Sequence, residues 1–297
     1  MFSELKNGIS VVIPAHGNCE FLMETIQSLQ DSSRLADEIL LVDDGVDPSV
    51  LREVVANYPQ LSVLRNSGKG LVDALNTGLF SASFDLVARI DADDCVTNSR
   101  LEIQENFMRL NLEVVLCGSQ ITYINTNSDP LGFSNYLTGD ITEETQKGEK
   151  CLLAHPSVMY RTLKAKSAGG YRKLFTIDGV NLAEDYDFWV RLSRIGIVFN
   201  LAESLTRYRQ HPSQLSMVHR GPQEMASYFI HATACYENSP GNIAKSIVIN
   251  SHIEALSTVN FVRKNLGYRQ AIKYGIEIMT YYSKINPYVR RFLVKFL

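Results

Sequence analysis

Short apolar segments alternate with amphipathic ones through residues 8–90. The apolar segments have the length and β-branched content of buried strands, and they cover residues 8–14, 38–42, 61–64 and 86–90. The intervening segments space their apolar residues three or four apart, as helices do, and they cover residues 20–30, 48–57 and 71–79. This alternation predicts a parallel sheet with helices on both faces. We therefore expect an α/β fold with a Rossmann-like, mostly parallel central sheet.

Three carboxylates follow the fourth apolar segment: Asp91, Asp93 and Asp94. Open α/β sheets bind their ligands at the carboxyl ends of their strands. Asp91 and Asp93 are two residues apart, so in an extended segment their side chains point the same way and repel each other. A divalent cation such as Mg²⁺ or Mn²⁺ removes this repulsion and also binds substrate phosphates, which suggests a metal-bound diphosphate. The alternative is a solvated acidic turn that begins a helix.

The ends of the other predicted strands are also polar. His16 lies in the turn after Pro14, and Asp43 and Asp44 follow the second strand. The loop that contains Lys69 lacks both the Gly-Lys-Ser/Thr ending of a P-loop and the GxGxxG pattern of a dinucleotide site. Lys69 is therefore either a phosphate contact or a solvated side chain.

Two further candidate groups lie in the second half of the chain. Glu184 and Asp185 fall in the first turn of a helix whose apolar stripe begins at Leu182. They either cap this helix or supply a general base, whose pKa the aromatic residues at 186, 188 and 189 would raise by desolvation. His211 lies in a polar loop and is a candidate metal or phosphate ligand.

The segments around these groups continue the α/β pattern. Residues 98–110 are predicted to form a helix, and residues 114–124 and 197–205 to form strands. Residues 125–149 are polar and lack apolar periodicity, which indicates either a long loop or a disordered segment. Long loops in compact domains often form lids or bind acceptors.

The composition excludes several classes of protein. The 297 residues carry a formal net charge of -3, which gives no support for nucleic-acid binding. The five cysteines are scattered and form no Cys-x-x-Cys pair, which argues against a disulfide framework and favours a reducing cytoplasm. No segment has the roughly 20 apolar residues of a membrane span, and we expect no signal peptide.

Residues 1–220 are predicted to form the α/β domain, and residues 221–297 a helical C-terminal extension. The end of the extension, including residues 287–297, is basic and aromatic. It either lies in a membrane interface or docks on the protein as a helix with solvated charges. We therefore expect a cytoplasmic protein, with peripheral contact to the inner face of the cell membrane in the first case. The sequence gives no indication of the oligomeric state.

Five short motifs resemble those of inverting nucleotide-sugar glycosyltransferases of family two, in the order found in that family. They are VVIPAH at 11–16, VDDG at 42–45, ARIDADD at 88–94, AEDYDFW at 183–189 and YRQH at 208–211. The resemblance implies the A-type glycosyltransferase fold and a role in bacterial polysaccharide biosynthesis. It also implies transfer of a sugar from a nucleoside-diphosphate sugar, in the first place a UDP-sugar, to a hydroxyl of a saccharide or lipid-linked saccharide.

The resemblance also implies roles for single residues. The implied donor contacts are Pro14, Ala15, His16, Asp43, Asp44, Lys69, Arg89, Asp91, Ala92 and Asp93. Asp93 would be the principal ligand of Mn²⁺ or Mg²⁺, with Asp91 and His211 as further ligands, and the metal would neutralise the leaving diphosphate. Asp185 would be the base that takes the proton of the acceptor hydroxyl. A single displacement of this kind inverts the anomeric configuration.

The chain departs from the family pattern at two places in the nucleotide pocket. His16 and Gly17 stand where the family usually has Tyr-Asn, and Val46 and Asp47 stand where it often has Ser-Thr. These departures affect the expected recognition of the base more than the expected chemistry.

Two other functions compete with sugar transfer. A sugar nucleotidyltransferase would carry a glycine-rich loop with Arg or Lys after the first strand, and residues 14–17 lack it. A catalytically inactive scaffold of a polysaccharide assembly complex would have no need of Asp91, Asp93 and Asp185, which are all present.

Overall fold

The structure is a computed structural model that describes residues 5–148, 150–173, 175–177, 180–212, 214, 227 and 230. Nearly all of them belong to the first of the two units into which the chain divides, Met1–Arg220. The predicted helical extension and its basic end lie outside the described residues, apart from 227 and 230, and stay predictions. Within the described ranges, no helix is long and apolar enough to cross a membrane.

The described residues form twelve strands and seven α-helices. The elements of the first half are β1 (Lys6–Gly17), α1 (Leu22–Gln30), β2 (Glu38–Val46), α2 (Pro48–Asn57), β3 (Ser62–Arg65), α3 (Leu71–Ser81), β4 (Phe84–Arg89), β5 (Cys95–Val96), α4 (Arg100–Leu110) and β6 (Val114–Ile124). Those of the second half are β7 (Pro130–Phe133), β8 (Gly139–Asp140), α5 (Thr142–Lys147), a 3-10 turn (His155–Ser157), β9 (Met159–Arg161), α6 (Thr162–Ser167), β10 (Phe175–Ile177), β11 (Val180–Leu182), α7 (Glu184–Ser193) and β12 (Ile197–Arg209).

Ten strands form one sheet in the order β3-β2-β1-β4-β9-β6-β12-β5, in which β7 also pairs with β6 and β8 with β12. Strands β1 to β4 run parallel to one another, and β6 runs parallel to β12. Strand β9 lies between these two groups and is antiparallel to both of its neighbours. The two parallel groups therefore share one direction and end at the same edge of the sheet. The predicted α/β fold is confirmed.

Side chains of β1 alternate between two apolar cores, one on each face of the sheet. Val11 and Ile13 pack with residues of α1, α2 and α4, whereas Val12 packs with residues of α3, α6 and α7. Burial of each such side chain contributes about 1.5–3 kcal/mol. Gly78 of α3 faces Val12 of β1, and a Cβ at Gly78 would collide with the Val12 side chain. The absence of a side chain at Gly78 therefore lets α3 lie close to the sheet.

Residues 125–149, predicted as a long loop, instead contain β7, β8 and α5. The side-chain oxygen of Gln120 accepts hydrogen bonds from the Tyr136 N–H (2.9 Å) and from the Ser134 hydroxyl (2.7 Å). Just before α5, Asp140 Oδ1 accepts the N–H of Thr142 (3.0 Å). The prediction was wrong because hydrogen bonds of polar side chains fix the conformation of this segment. Such bonds leave no apolar periodicity in the sequence.

Two predicted boundaries also differ from the structure. Strand β1 does not stop at Pro14, because Pro14 and Ala15 still pair with β2 before a bulge. The helix predicted from Leu182 begins two residues later, since Leu182 ends β11. Between the strand and the helix, Ala183 takes up a left-handed conformation with φ 56°.

Candidate active site

A tight turn after β4 brings three carboxylates together. The Ile90 N–H still donates to the Val12 carbonyl (3.2 Å), and the Asp94 N–H then donates to the Asp91 carbonyl (3.3 Å). One ligand atom from each of Asp91, Asp93 and Asp94 lies within 4.8 Å of the others. The expectation of an extended segment was therefore wrong, because a turn gathers the side chains. It also adds Asp94, which the sequence-based set of site residues omits.

Burial and the neighbouring acids disfavour the charged forms of two of these carboxylates, Asp91 and Asp94. Burial raises the pKa of Asp91 to about 6, against the opposing effect of Arg89, and the charge of Asp93 adds to the rise. Burial, followed by the charges of Asp91 and Asp93, raises the pKa of Asp94 well above its usual range. Among the described atoms, Oδ2 of Asp94 is buried without a hydrogen-bond partner. Clustered hard oxygen ligands of this kind fit Mg²⁺ or Mn²⁺.

Arg89 lies directly behind this carboxylate cluster. Its Nη1 donates to Asp91 Oδ2 (2.6 Å), and its Nη2 donates to the other oxygen. The Arg89 side chain is only 2% exposed, and Arg100 Nη2 donates to the Arg89 carbonyl (2.8 Å). A forked pair of this kind fixes the orientation of the carboxylate. The buried side chain of Arg89 thus holds Asp91, and its predicted contact with the donor stays a prediction.

His211, from the segment after β12, meets the carboxylate cluster at Asp93. Its Nε2 lies 2.9 Å from Asp93 Oδ2, although 118 positions separate the two residues in the chain. The His211 ring also packs against Phe21, with 5.7 Å between the ring centroids. Histidine nitrogen and carboxylate oxygen are both ligands of divalent metals. The fold therefore brings the predicted metal ligands together, and their role stays a prediction.

The predicted nucleotide contacts lie at the carboxyl ends of β1 and β2. His16 Nδ1 is 2.6 Å from the carbonyl oxygen of Asp44, and the His16 side chain is 76% exposed. Asp43 Oδ1 accepts the N–H groups of Gly45 (2.9 Å) and Val46 (2.8 Å), which fixes the irregular carboxyl end of β2. The exposed imidazole is thus free of the core and available to a ligand at this edge of the sheet.

Three of the predicted donor-binding residues present mainly backbone atoms at this edge of the sheet. Pro14 is buried in β1, Ala15 is 3% exposed in the core, and Ala92 packs against the core from the turn. A bound donor would therefore meet their backbone groups more readily than their side chains.

Asp44 holds the loop that carries Lys69. Asp44 Oδ1 accepts from Asn66 Nδ2 (2.7 Å), and Oδ2 accepts the N–H of Gly70 (3.0 Å). The Lys69 N–H donates to Asp73 Oδ2 (2.7 Å) at the start of α3. Lys69 itself is exposed on this ordered loop. The loop is thus shaped by protein contacts of Asp44, and a phosphate contact of Lys69 stays a prediction.

Asp185 lies in the first turn of α7, where the predicted general base was placed. Its Oδ1 accepts the N–H of Tyr186 (2.7 Å). Burial raises the pKa of Asp185, and the charge of Asp185 in turn contributes to the raised pKa of Asp91. The predicted base and the carboxylate cluster are therefore close enough to interact electrostatically. A carboxylate with a raised pKa is suited to accept a proton.

Glu184 turns toward the protein interior and meets His155. Its Oε1 lies 3.8 Å from His155 Nδ1, while His155 Nε2 lies 3.2 Å from the Tyr171 hydroxyl. Burial, together with the charge of Asp185, raises the pKa of Glu184 to about 8. Burial and then the charge of Arg89 hold the pKa of His155 well below its usual range. Both side chains are therefore mostly uncharged near neutral pH.

Asp187, the third acid of this helix, has a structural environment. Its Oδ2 accepts from Arg191 Nε (2.9 Å) and Arg172 Nε (3.0 Å). The Asp187 carboxylate, which is only 6% exposed, thus accepts hydrogen bonds from two guanidinium groups. Asp187 is therefore a poorer candidate base than Asp185.

Three residues of this region were missed by sequence reasoning: Asp94, His155 and Arg209. The first has a visible signal, since it extends an acidic motif by one position. The His155 side chain is 10% exposed and Arg209 is completely buried, and a single sequence shows the burial of neither. Only the fold shows that they contact the candidate site.

The mostly parallel sheet carries carboxylates and an exposed histidine at the carboxyl ends of its strands, where α/β enzymes bind their ligands. The chain belongs to glycosyl transferase family 2, whose family model matches residues 10–166. It is therefore a glycosyltransferase.

Relatives with assigned roles support this membership. The chain is 32% identical over 199 residues to the amylovoran biosynthesis glycosyltransferase AmsE of Erwinia amylovora, covering 64% of this chain and 71% of the relative. It is 27% identical over 177 residues to the UDP-Gal:alpha-D-GlcNAc-diphosphoundecaprenol beta-1,3-galactosyltransferase of Escherichia coli, covering 58% and 62% of the two chains.

A solved structure shares the fold. S. aureus TarS 1-349 in complex with UDP-GlcNAc superposes with a TM-score of 0.68 at 16% identity, covering 95% of this chain and 82% of the other. The predicted A-type glycosyltransferase fold is thereby confirmed.

Proposed function

We propose that this glycosyltransferase moves a sugar from a UDP-sugar to a hydroxyl of a saccharide or lipid-linked saccharide, with inversion and with a divalent metal. The proposal rests on one arrangement above all: the carboxylates Asp91, Asp93 and Asp94 gathered beside Asp185. The relatives named above support a UDP-sugar donor and a part in bacterial polysaccharide assembly. A lipid-linked acceptor would place the reaction at a membrane, where the basic end of the chain could make contact.

The chain's own residues can hold the donor at the edge of the sheet. His16 and Asp43 lie where the nucleoside would bind, and Lys69 lies on the neighbouring loop. Asp91, Asp93 and His211 are the residues that would hold Mn²⁺ or Mg²⁺, and the neighbouring Asp94 would offer a further carboxylate oxygen. A bound metal would neutralise the charge that develops on the leaving diphosphate.

Asp185 acts on the acceptor in this mechanism. Its carboxylate takes the proton of the acceptor hydroxyl, and the hydroxyl oxygen forms a bond to the anomeric carbon of the donor sugar. The bond between that carbon and the diphosphate oxygen breaks, and UDP leaves with the electron pair. The attack comes from the face opposite to UDP, so the anomeric configuration is inverted. The raised pKa of Asp185 strengthens it as a base.

A donor-turnover assay tests this function. The purified chain is incubated with UDP-sugars, Mn²⁺ and a saccharide acceptor, and UDP, pyrophosphate and the glycoside are measured. UDP release with formation of an inverted glycoside, identified by proton NMR, is the expected result. The same assay with a chelator tests the metal dependence.

The other outcomes of this assay are equally informative. Pyrophosphate release would identify a nucleotidyltransferase instead. Complete inactivity towards every UDP-sugar, by a folded protein that also binds no UDP, would support the scaffold and refute the proposal.

A further inference from the structure

Arg209, the last residue of β12, is a completely buried arginine beside the carboxylate cluster. Its guanidinium carbon lies 4.3 Å from the centre of the Phe21 ring. Its Nη2 donates to Glu24 Oε2 (2.6 Å). Glu24 lies in the first turn of α1, which begins directly after Phe21. Burial of a guanidinium is costly unless its donors are satisfied.

Two hydrogen bonds join Arg209 to the carboxylate cluster. Its main-chain N–H donates to Asp94 Oδ1 (2.7 Å), and its Nε donates to the Asp93 carbonyl oxygen (2.8 Å). The first bond fixes a buried carboxylate, and the second fixes the backbone of the residue that meets His211. The main chain of Arg209 thus holds the Asp94 carboxylate, and its side chain holds the backbone of Asp93.

The remaining donors of Arg209 hold the turn that follows β6. Nη1 lies 3.1 Å from the Asn125 carbonyl oxygen and 3.3 Å from the Thr126 carbonyl oxygen. It also donates to Ser128 Oγ (2.9 Å). A single planar guanidinium therefore connects α1, this turn and the acidic turn after β4. Lysine cannot reproduce the connection, because its ammonium is a single point of charge.

We propose that Arg209 is a positioning residue for the metal site, whose guanidinium fixes the backbone of Asp93 and thereby the place of the Asp93 carboxylate. This inference rests on the metal dependence proposed above. Groups that orient metal ligands through hydrogen bonds typically change metal affinity by roughly 10–100-fold when they are replaced. A merely structural role would instead lower stability and leave metal affinity unchanged.

The test measures Mn²⁺ affinity in the presence of UDP by isothermal titration calorimetry of the full chain. Arg209→Lys is expected to raise the apparent Kd for Mn²⁺ by roughly 10–100-fold. Arg207→Lys is the matched control: Arg207 lies on the same strand and its Nη2 donates to the Ser128 carbonyl (2.9 Å). The control should retain the affinity of the wild-type protein.

A second variant guards against failure of Arg209→Lys to fold, which thermal unfolding would detect. Glu24→Gln removes the charge that holds Nη2, and the Glu24 side chain is 41% exposed, so this variant should fold. It should weaken Mn²⁺ binding in the same direction by a smaller factor. If folded Arg209→Lys binds Mn²⁺ with wild-type affinity, this inference is overturned while the proposed metal dependence stands. The same holds for wild-type affinity in Glu24→Gln if Arg209→Lys does not fold. Absence of Mn²⁺ binding by the wild-type protein would overturn the proposed metal dependence and this inference with it.

Discussion

Replacing Glu184 by glutamine should make the stability of the protein less dependent on pH. The buried carboxyl of Glu184 has its pKa raised from an ordinary value of 4.5 to about 8 by burial and by Asp185. Between these two values the folded protein keeps a proton that the unfolded chain has released. The free energy of unfolding therefore falls as the pH rises through this window. Glutamine has no proton to lose, so the variant lacks this contribution.

The size of the effect follows from the shift. One group that is protonated only in the folded state changes the free energy of unfolding by about 1.4 kcal/mol per pH unit. Between pH 5 and pH 7 the Glu184→Gln variant should therefore gain about 3 kcal/mol relative to the wild-type protein. The gain should level off above the folded-state pKa of about 8.

Urea unfolding at pH 5, 6, 7 and 8 measures this difference. Trp189 is the single tryptophan of the chain and is 1% exposed, so its fluorescence reports unfolding of the region around α7. Glu53→Gln is the control, since Glu53 is an exposed residue of a helix on the opposite face of the sheet. A constant difference between Glu184→Gln and the wild-type protein over this pH range would refute the reasoning.

Three further substitutions or deletions test the site and the end of the chain. Asp185→Asn should lower turnover by roughly 10²–10⁴ because it removes the base, while calorimetry should find UDP-sugar binding nearly unchanged; near-normal turnover at saturating substrates would assign the base elsewhere. Asp93→Ala should abolish the Mn²⁺ dependence of UDP binding measured by calorimetry, since it removes the ligand that meets His211; an unchanged dependence would contradict the metal assignment. Deletion of residues 287–297 should reduce sedimentation with anionic liposomes and preserve activity on a small acceptor; equal sedimentation would exclude membrane contact through this segment.

The sheet was predictable because its signals are local. Strands such as β2 and β4 are short apolar runs, and the helices between them repeat their apolar residues at helical spacing. The predicted positions of Asp91 and Asp93 at a strand end depend on the same local signals. Sequence reasoning therefore placed the acidic motif at the correct edge of the sheet.

The rest of the site depends on contacts between distant residues. Arg209 reaches Glu24 across 185 positions of the chain, and Glu184 faces His155 rather than solvent. Residues 125–149 are organised by polar side chains such as Gln120, which have no periodic pattern. A single sequence gives the type of each residue but not its distant partner, so these features could not be predicted.

The reversed direction of β9 affects how enzymes of this shape can diversify. Because β9 runs against its neighbours, the chain enters it, rather than leaves it, at the edge where the carboxylates lie. The Arg89 N–H donates to the Val158 carbonyl (3.1 Å), so the entering segment lies against the end of β4. Insertions and substitutions in this segment can change the surroundings of the carboxylate cluster, while β1 to β4 and their hydrogen bonds stay as they are. Evolution can therefore vary the recognition of one substrate separately from the half of the sheet predicted to bind the nucleotide.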